Sequence, residues 1–123
     1  MQFRYIADTY AWIAYFNKKK FKGIIEKEIV DTPTVVIAEL MRTLVKKNVS
    51  TKVIENIMAY VSSKGLILPL TIEEAKKSGI IAQKESLPLF DAIVYSYVVE
   101  EKDRLLTGDE HFKNKKQVIF EKE

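Results

Sequence analysis

The chain has 123 residues, 47% apolar and 30% charged, a balance expected of one globular domain spanning residues 1–123. With no cysteine and a single histidine, His111, it excludes disulfide scaffolds, thiolate zinc sites and cysteine nucleophiles, and it disfavours a Ser–His–Asp triad. Twenty basic against 17 acidic residues give a net charge of +3, only a weak pointer to a polyanionic partner. The opening MQFRYIADTYAWIAYF carries Arg4 and Asp8 inside its apolar stretch and has no small-residue cleavage site. Neither a secretory signal nor a membrane span is therefore expected, and the expected location is the cytoplasm.

In chain order, Phe3 to Ala7 is a short apolar run ending in an acid, and Tyr10 to Asn17 reads as helix. Lys18, Lys19, Lys20 and Lys22 form a basic turn before a short helix around residues 21–28. Ile29-Val30 gives a brief strand, and Asp31-Thr32-Pro33 predicts a helix start with Thr32 as N-cap and Pro33 in the first turn. That helix should reach about Lys47. Ser50 can cap the next, where Val53, Ile54, Ile57, Met58 and Val61 recur with helical period, and Gly65 can close it. Leu66–Leu70 reads as a buried strand, placed at a ladder end or an edge by Pro69. Thr71-Ile72-Glu73-Glu74 has the form of a capping box, and Pro88 opens a strongly apolar helix through about Val99. Arg104–Thr107 is a strand, Gly108–Phe112 a turn and 117–121 a last strand. Short strands alternating with helices predict an α/β fold, with a mostly parallel sheet of four or five strands and helices on both faces. In such sheets ligands bind beyond the carboxyl ends of the strands.

Acids at those ends are therefore candidates. Asp8 follows the first strand and Asp109 follows 104–107; each also reads as a simple cap or turn acid. Glu39 lies on the polar side of its helix with Arg42, Thr43 and Lys46, opposite Ile37, Leu40, Met41, Leu44 and Val45, and can be a solvated surface acid. Asp91 is the anomaly. It interrupts LPLFDAIVYSYVV, its own helical face holds Val94, Tyr95 and Val98, and the polar strip of Ser96 and Glu100 lies elsewhere. Burying an unpaired carboxylate costs several kcal/mol, whereas the helix dipole returns only ~0.3–1 kcal/mol. Asp91 must be protonated, paired or bound to a cation. Oxygen donors without thiols suit Mg²⁺ or Mn²⁺, which can activate water and stabilise a developing oxyanion.

Four segments in order, YIADTYAWIAYF with Asp8, TPTVVIAEL with Glu39, LPLFDAIVYSYV with Asp91 and LLTGDEHF with Thr107 and Asp109, resemble a PIN-domain ribonuclease. More narrowly, the chain is similar to the VapC-type toxins of toxin–antitoxin pairs over essentially its whole length. The resemblance implies a three-layer α/β/α sandwich in which Asp8, Glu39, Asp91 and Asp109 bind Mg²⁺ or Mn²⁺ in one cleft. Thr107 would support the cluster as a hydroxyl, with Thr9 as a further neighbour. It also implies endonucleolytic RNA cleavage, a cognate antitoxin that plugs the cleft, and a homodimer. Two positions depart from the pattern: His111 stands where many relatives have a second acid, and Tyr10 where a small residue is frequent. The first weakens any claim for a second metal ion; His111 can contact phosphate, although a lone exposed turn histidine is more often inert.

Setting aside the four acids leaves 20 basic against 13 acidic residues, consistent with a basic rim for RNA. Arg42 and Lys46 share the face of Glu39; Lys18, Lys19 and Lys20 form the densest run; Lys113, Lys115 and Lys116 lie near Asp109, and any of these can be simple solvated surface. Trp12, Tyr15 and Phe16 are placed for base stacking or, by their helical spacing, for core or dimer packing. A receiver domain is disfavoured because LILPL ends in no acid, and a strand-end aspartate-pair phosphatase because Tyr10 takes the second place. A non-catalytic PIN-like RNA-binding or scaffold protein is the remaining alternative.

Overall fold

A computed structural model describes residues 4–123, so the start of the first run at Phe3 lies outside the described residues. Strands β1 (Tyr5–Ala7), β2 (Val30–Pro33), β3 (Ile67–Leu68), β4 (Arg104–Thr107) and β5 (Val118–Phe120) alternate with helices. These are α1 (Thr9–Lys18), α2 (Lys22–Ile25), α3 (Thr34–Lys46), α4 (Thr51–Ser63), α5 (Ile72–Glu85) and α6 (Leu89–Glu101), with a 3-10 turn at Glu110–Phe112. The strands form one sheet in the order β3-β2-β1-β4-β5, every neighbouring pair parallel. Helices cover both faces in an α/β/α sandwich, α1 packing on α3 and α5 on α6. The central strands are accordingly apolar on both sides, and Ile6, Ala7, Val30, Leu105 and Leu106 are fully buried. No helix among the described residues is long and apolar enough to cross a membrane.

From β1 the chain builds outward to β2 and β3, then crosses over to β4 and β5 on the other side. The carboxyl ends of β1 and β4 therefore flank a topological switch point, where an open parallel sheet leaves a crevice. The expected caps of two helices are present: Ser50 accepts from the Val53 N–H and Thr71 from the Glu74 N–H.

Several local expectations are corrected. Asp31 and Thr32 are strand residues of β2, and Pro33 takes the N-cap position of α3. The Thr32 hydroxyl is unavailable as a cap because it lies in the core and accepts Trp12 Nε1–H at 3.0 Å. Gly65 does not close α4 with a left-handed turn; Lys64 is the C-cap. Its glycine is required for close approach, since a Cβ there would lie 2.5 Å from Asp31 Oδ1 and closer still to the Val30 carbonyl. The expected buried strand at 66–70 shrinks to Ile67–Leu68 at the sheet edge, with Leu66 and Leu70 exposed. Pro69, which cannot donate to a ladder, ends it. On α3 the buried stripe is Val36, Leu40 and Leu44, four residues apart, which leaves Met41 and Val45 in solvent. On α6, Ser96 is buried against α5 and donates to the Ile93 carbonyl instead of joining a polar strip. The helix expected near 21–28 is the single turn α2. Of the two readings of Trp12 and Tyr15, core packing is the one observed: both are buried, and Tyr15 stacks on Tyr60 and donates to Glu26 Oε2 at 2.6 Å.

At the opposite end of the sheet from the crevice, Arg4 clamps Asp31 through two bonds, Nε to Oδ2 at 2.9 Å and Nη2 to Oδ1 at 2.7 Å. Asp31 Oδ1 also accepts the Leu66 N–H at 2.8 Å, tying β1, β2 and the entry to β3 together. Asp31→Ala would leave that N–H and the guanidinium without their acceptor and should lower the unfolding free energy by about 2–4 kcal/mol in urea denaturation. Arg4→Met should cost at least as much, because it leaves the buried Asp31 carboxylate without its counter-charge. An unchanged midpoint for Asp31→Ala would show that the clamp contributes nothing.

Candidate functional site

Asp8 leaves β1 and caps α1, its Oδ1 accepting the Ala11 N–H at 2.8 Å. Its other oxygen accepts the Thr107 hydroxyl from the end of β4 at 2.5 Å. The cap and the crevice roles thus fall on different oxygens of one carboxylate. The same Thr107 hydroxyl accepts the Asp109 N–H at 3.0 Å, and Asp109 Oδ1 in turn accepts the His111 N–H at 2.9 Å. That last bond caps the 3-10 turn. Asp91, in the first turn of α6, is 8% exposed, and its Oδ2 lies 2.7 Å from His111 Nδ1.

Asp8, Glu39, Asp91 and Asp109 line one cleft of about 280 Å³, together with Thr9, Tyr10, Arg42, Thr43 and Phe90. Arg42 and Thr43 also line an adjoining groove of about 570 Å³ with Lys46 and Lys47. Among the basic candidates, then, Arg42 is beside the acids and Lys46 is in the adjoining groove. Lys18 and Lys19 are in neither place: they sit at the far end of α1, about 15 Å from the cap at Asp8, where Lys19 lies over the Tyr15 ring. Lys20 lines neither the cleft nor the groove, and pairs with Glu121, whose N–H bonds the Thr107 carbonyl. Lys115 pairs with Glu85, away from the cleft.

Burial pushes Asp8 up to about 7, against the opposing Thr107 and Ala11 hydrogen bonds, and the charges of Asp109 and Asp91 add to the rise. Asp91 is also raised, by burial and then by Asp109, with the His111 contact pulling the other way. These carboxylates feel one another, as groups sharing a site do. A cation fits the donor set. Asp91, Asp109 and His111 each offer one ligand atom, all within 4.8 Å of one another, while Asp8 and Glu39 supply further carboxylates to the same cleft. Thr9 adds a buried hydroxyl with no hydrogen-bond partner among the described residues. His111 is the residue that sequence reasoning set aside. The available signal was its spacing, two positions after Asp109, which puts it on the turn that Asp109 caps.

Tyr10, the other departure, packs its ring where a Cβ on residue 108 would stand, so Gly108 is required between Thr107 and Asp109.

The sequence pattern of the PIN domain matches residues 5–118. No curated protein matches the chain by sequence. Among solved structures, a toxin–antitoxin complex from Klebsiella pneumoniae is similar, with a TM-score of 0.77 and 19% identity over 93% of this chain and 94% of that one. VapBC2 from Rickettsia felis, bound to a DNA fragment from its promoter, gives 0.67 and 18% identity, covering 98% of each chain. VapC20 of Mycobacterium tuberculosis, described as a sarcin-ricin loop cleaving toxin, gives 0.71 and 14% identity over 93% and 96%. At these identities the likeness to solved structures is one of fold.

A carboxyl held above its ordinary value stabilises the fold most when protonated. That gain is complete below the usual value of 3.8 and is lost as pH rises through about 7 for Asp8. Asp103, which burial pushes up to about 6, acts in the same direction. In EDTA the melting temperature should therefore fall between about pH 4 and pH 7 by scanning calorimetry, and Asp8→Asn should flatten the upper part of that slope. A flat profile in the unmodified protein would show that the cleft acids are not strained by burial.

Proposed function

The chain belongs to the PIN domain family, and from that premise we propose that it is a metal-dependent endoribonuclease, the VapC-type toxin of a toxin–antitoxin pair. The observation that carries this reading is the convergence of Asp8, Glu39, Asp91 and Asp109, from four separate elements, on one cleft rimmed by Arg42 and Lys46. The four carboxylates would hold Mg²⁺ or Mn²⁺, whose oxygen-seeking chemistry they match. When bound, such an ion supplies a polarised water and charge neutralisation at a phosphodiester.

The chain's own residues do the rest. Thr107 fixes the Asp8 carboxylate through its hydroxyl and the position of Asp109 through that residue's N–H. Thr9 lines the cleft, with its Oγ1 buried and without a hydrogen-bond partner among the described residues. Arg42, on the cleft wall, would pair with a phosphate and orient the scissile bond, and Lys46 and Lys47 would follow the strand along the neighbouring groove. Hydrolysis then joins the water oxygen to phosphorus and breaks the bond to the leaving ribose oxygen. Structural relatives determined as toxin–antitoxin complexes support a protein antitoxin as partner. The homodimer and the cytoplasmic location remain proposals of the same reading.

Purified protein should cut RNA with Mg²⁺ or Mn²⁺ and stop with EDTA, and Asp91→Asn should lower the rate by about 10²–10³-fold with the fold retained by circular dichroism. RNA bound but never cut under these conditions would favour the non-catalytic RNA-binding alternative. Arg42→Ala should weaken RNA binding and reduce the salt slope of log K by about one phosphate contact, measured by fluorescence anisotropy across salt concentrations.

A further inference from the structure

We infer that His111 is a nitrogen ligand to the divalent ion of the acidic cleft, and that it biases the site toward first-row transition ions such as Mn²⁺ over Mg²⁺. This rests on the metal-dependent reading above and adds to it a donor that no carboxylate set contains.

Three features of the structure carry it. His111 Nδ1 lies 2.7 Å from Asp91 Oδ2 and 3.2 Å from Asp109 Oδ1. Neighbouring donors on an octahedral ion with bonds of ~2.1 Å stand about 3 Å apart, so the donors now in direct hydrogen-bond or ion-pair contact already have the spacing that a shared ion requires. The three donors come from two elements, α6 and the turn after β4, yet they converge on one point. The ring is also held in place from behind. The His111 N–H is bonded to Asp109, and the next residue, Phe112, is buried and packs against Tyr95 of α6, one helical turn from Asp91. The turn is thus docked on the helix that carries the second ligand.

The chemistry then sets the preference. A carboxylate at position 111 would complete an all-oxygen site of the kind that suits Mg²⁺. An imidazole nitrogen is a softer donor, favoured by transition ions and disfavoured by Mg²⁺, which keeps oxygen and water around it. With two carboxylates and one imidazole in the trio, Mn²⁺ satisfies both donor types. The alternative is that His111 serves only as a counter-charge to Asp91 and Asp109 without touching an ion.

Mn²⁺ alone, added to the full chain, separates these. Pulsed electron paramagnetic resonance should show nitrogen coupling from a directly bound imidazole, and His111→Gln should abolish it. By titration calorimetry the ratio of Mn²⁺ to Mg²⁺ affinity should fall about tenfold or more in His111→Asp. The side chain is 57% exposed, so both variants should fold, with circular dichroism as the check. Bound Mn²⁺ without nitrogen coupling, or an unchanged ratio in His111→Asp, overturns the assignment and leaves the four-acid reading standing. A folded wild-type chain that binds no Mn²⁺ overturns both.

Discussion

A hydroxyl at the end of one strand holds a carboxylate at the end of its neighbour, and the geometry of the site follows from that bond. Thr107 and Asp8 are 99 positions apart in sequence, and only the parallel register of β1 and β4, with Ala7 opposite Leu106, brings them together. A carboxylate buried as deeply as Asp8 is tolerable only when hydrogen-bonded, and it receives one bond from Thr107 and one from the first turn of α1. The same hydroxyl receives the Asp109 N–H, so one threonine sets the spacing of two acids and, through Asp109, the placement of His111.

The two ends of the sheet solve the problem of buried charge differently. At the amino ends, Asp31 is paired with Arg4 in a two-bond clamp and stitches the strands. At the carboxyl ends, acids stand beside acids, with Arg42 on the cleft wall and the His111 ring against Asp91 and Asp109. The first arrangement is complete without a ligand. The second keeps Asp8 and Asp91 raised by burial and by their neighbours, which is the condition under which a cation adds most. A protein that spends stability on one end and recovers it at the other has separated its scaffold from its chemistry, as pre-organised sites require.

The sequence made the alternation of strands and helices legible, along with the caps at Ser50 and Thr71 and the anomaly of Asp91, because each depends on neighbours within a few residues. What it concealed depends on distant partners. Thr32 and Pro33 have the local form of a helix start, but the core claims the Thr32 hydroxyl through Trp12. Gly65 has the local form of a helix end, yet it is glycine because β2 passes against it. The lysines at 18 and 19 look like a rim for RNA until the length of α1 removes them from the cleft. The four acids could be ordered along the chain by resemblance, but their convergence on one cleft is a property of the sheet's switch point and of nothing local.

Tyr10 and Gly108 show how a departure from a family pattern can be absorbed. A large ring immediately after the Asp8–Thr9 pair would crowd the loop that carries Asp109, and the chain accommodates it by leaving position 108 without a side chain. The ring then occupies the space a Cβ would have taken, and its hydroxyl accepts the Glu123 N–H, while the Glu121 N–H is bonded to the Thr107 carbonyl. The segment after β5 is thereby drawn against the same loop. Tyr10 also lines the cleft, and the turn bearing His111 is fixed to α6 by Phe112.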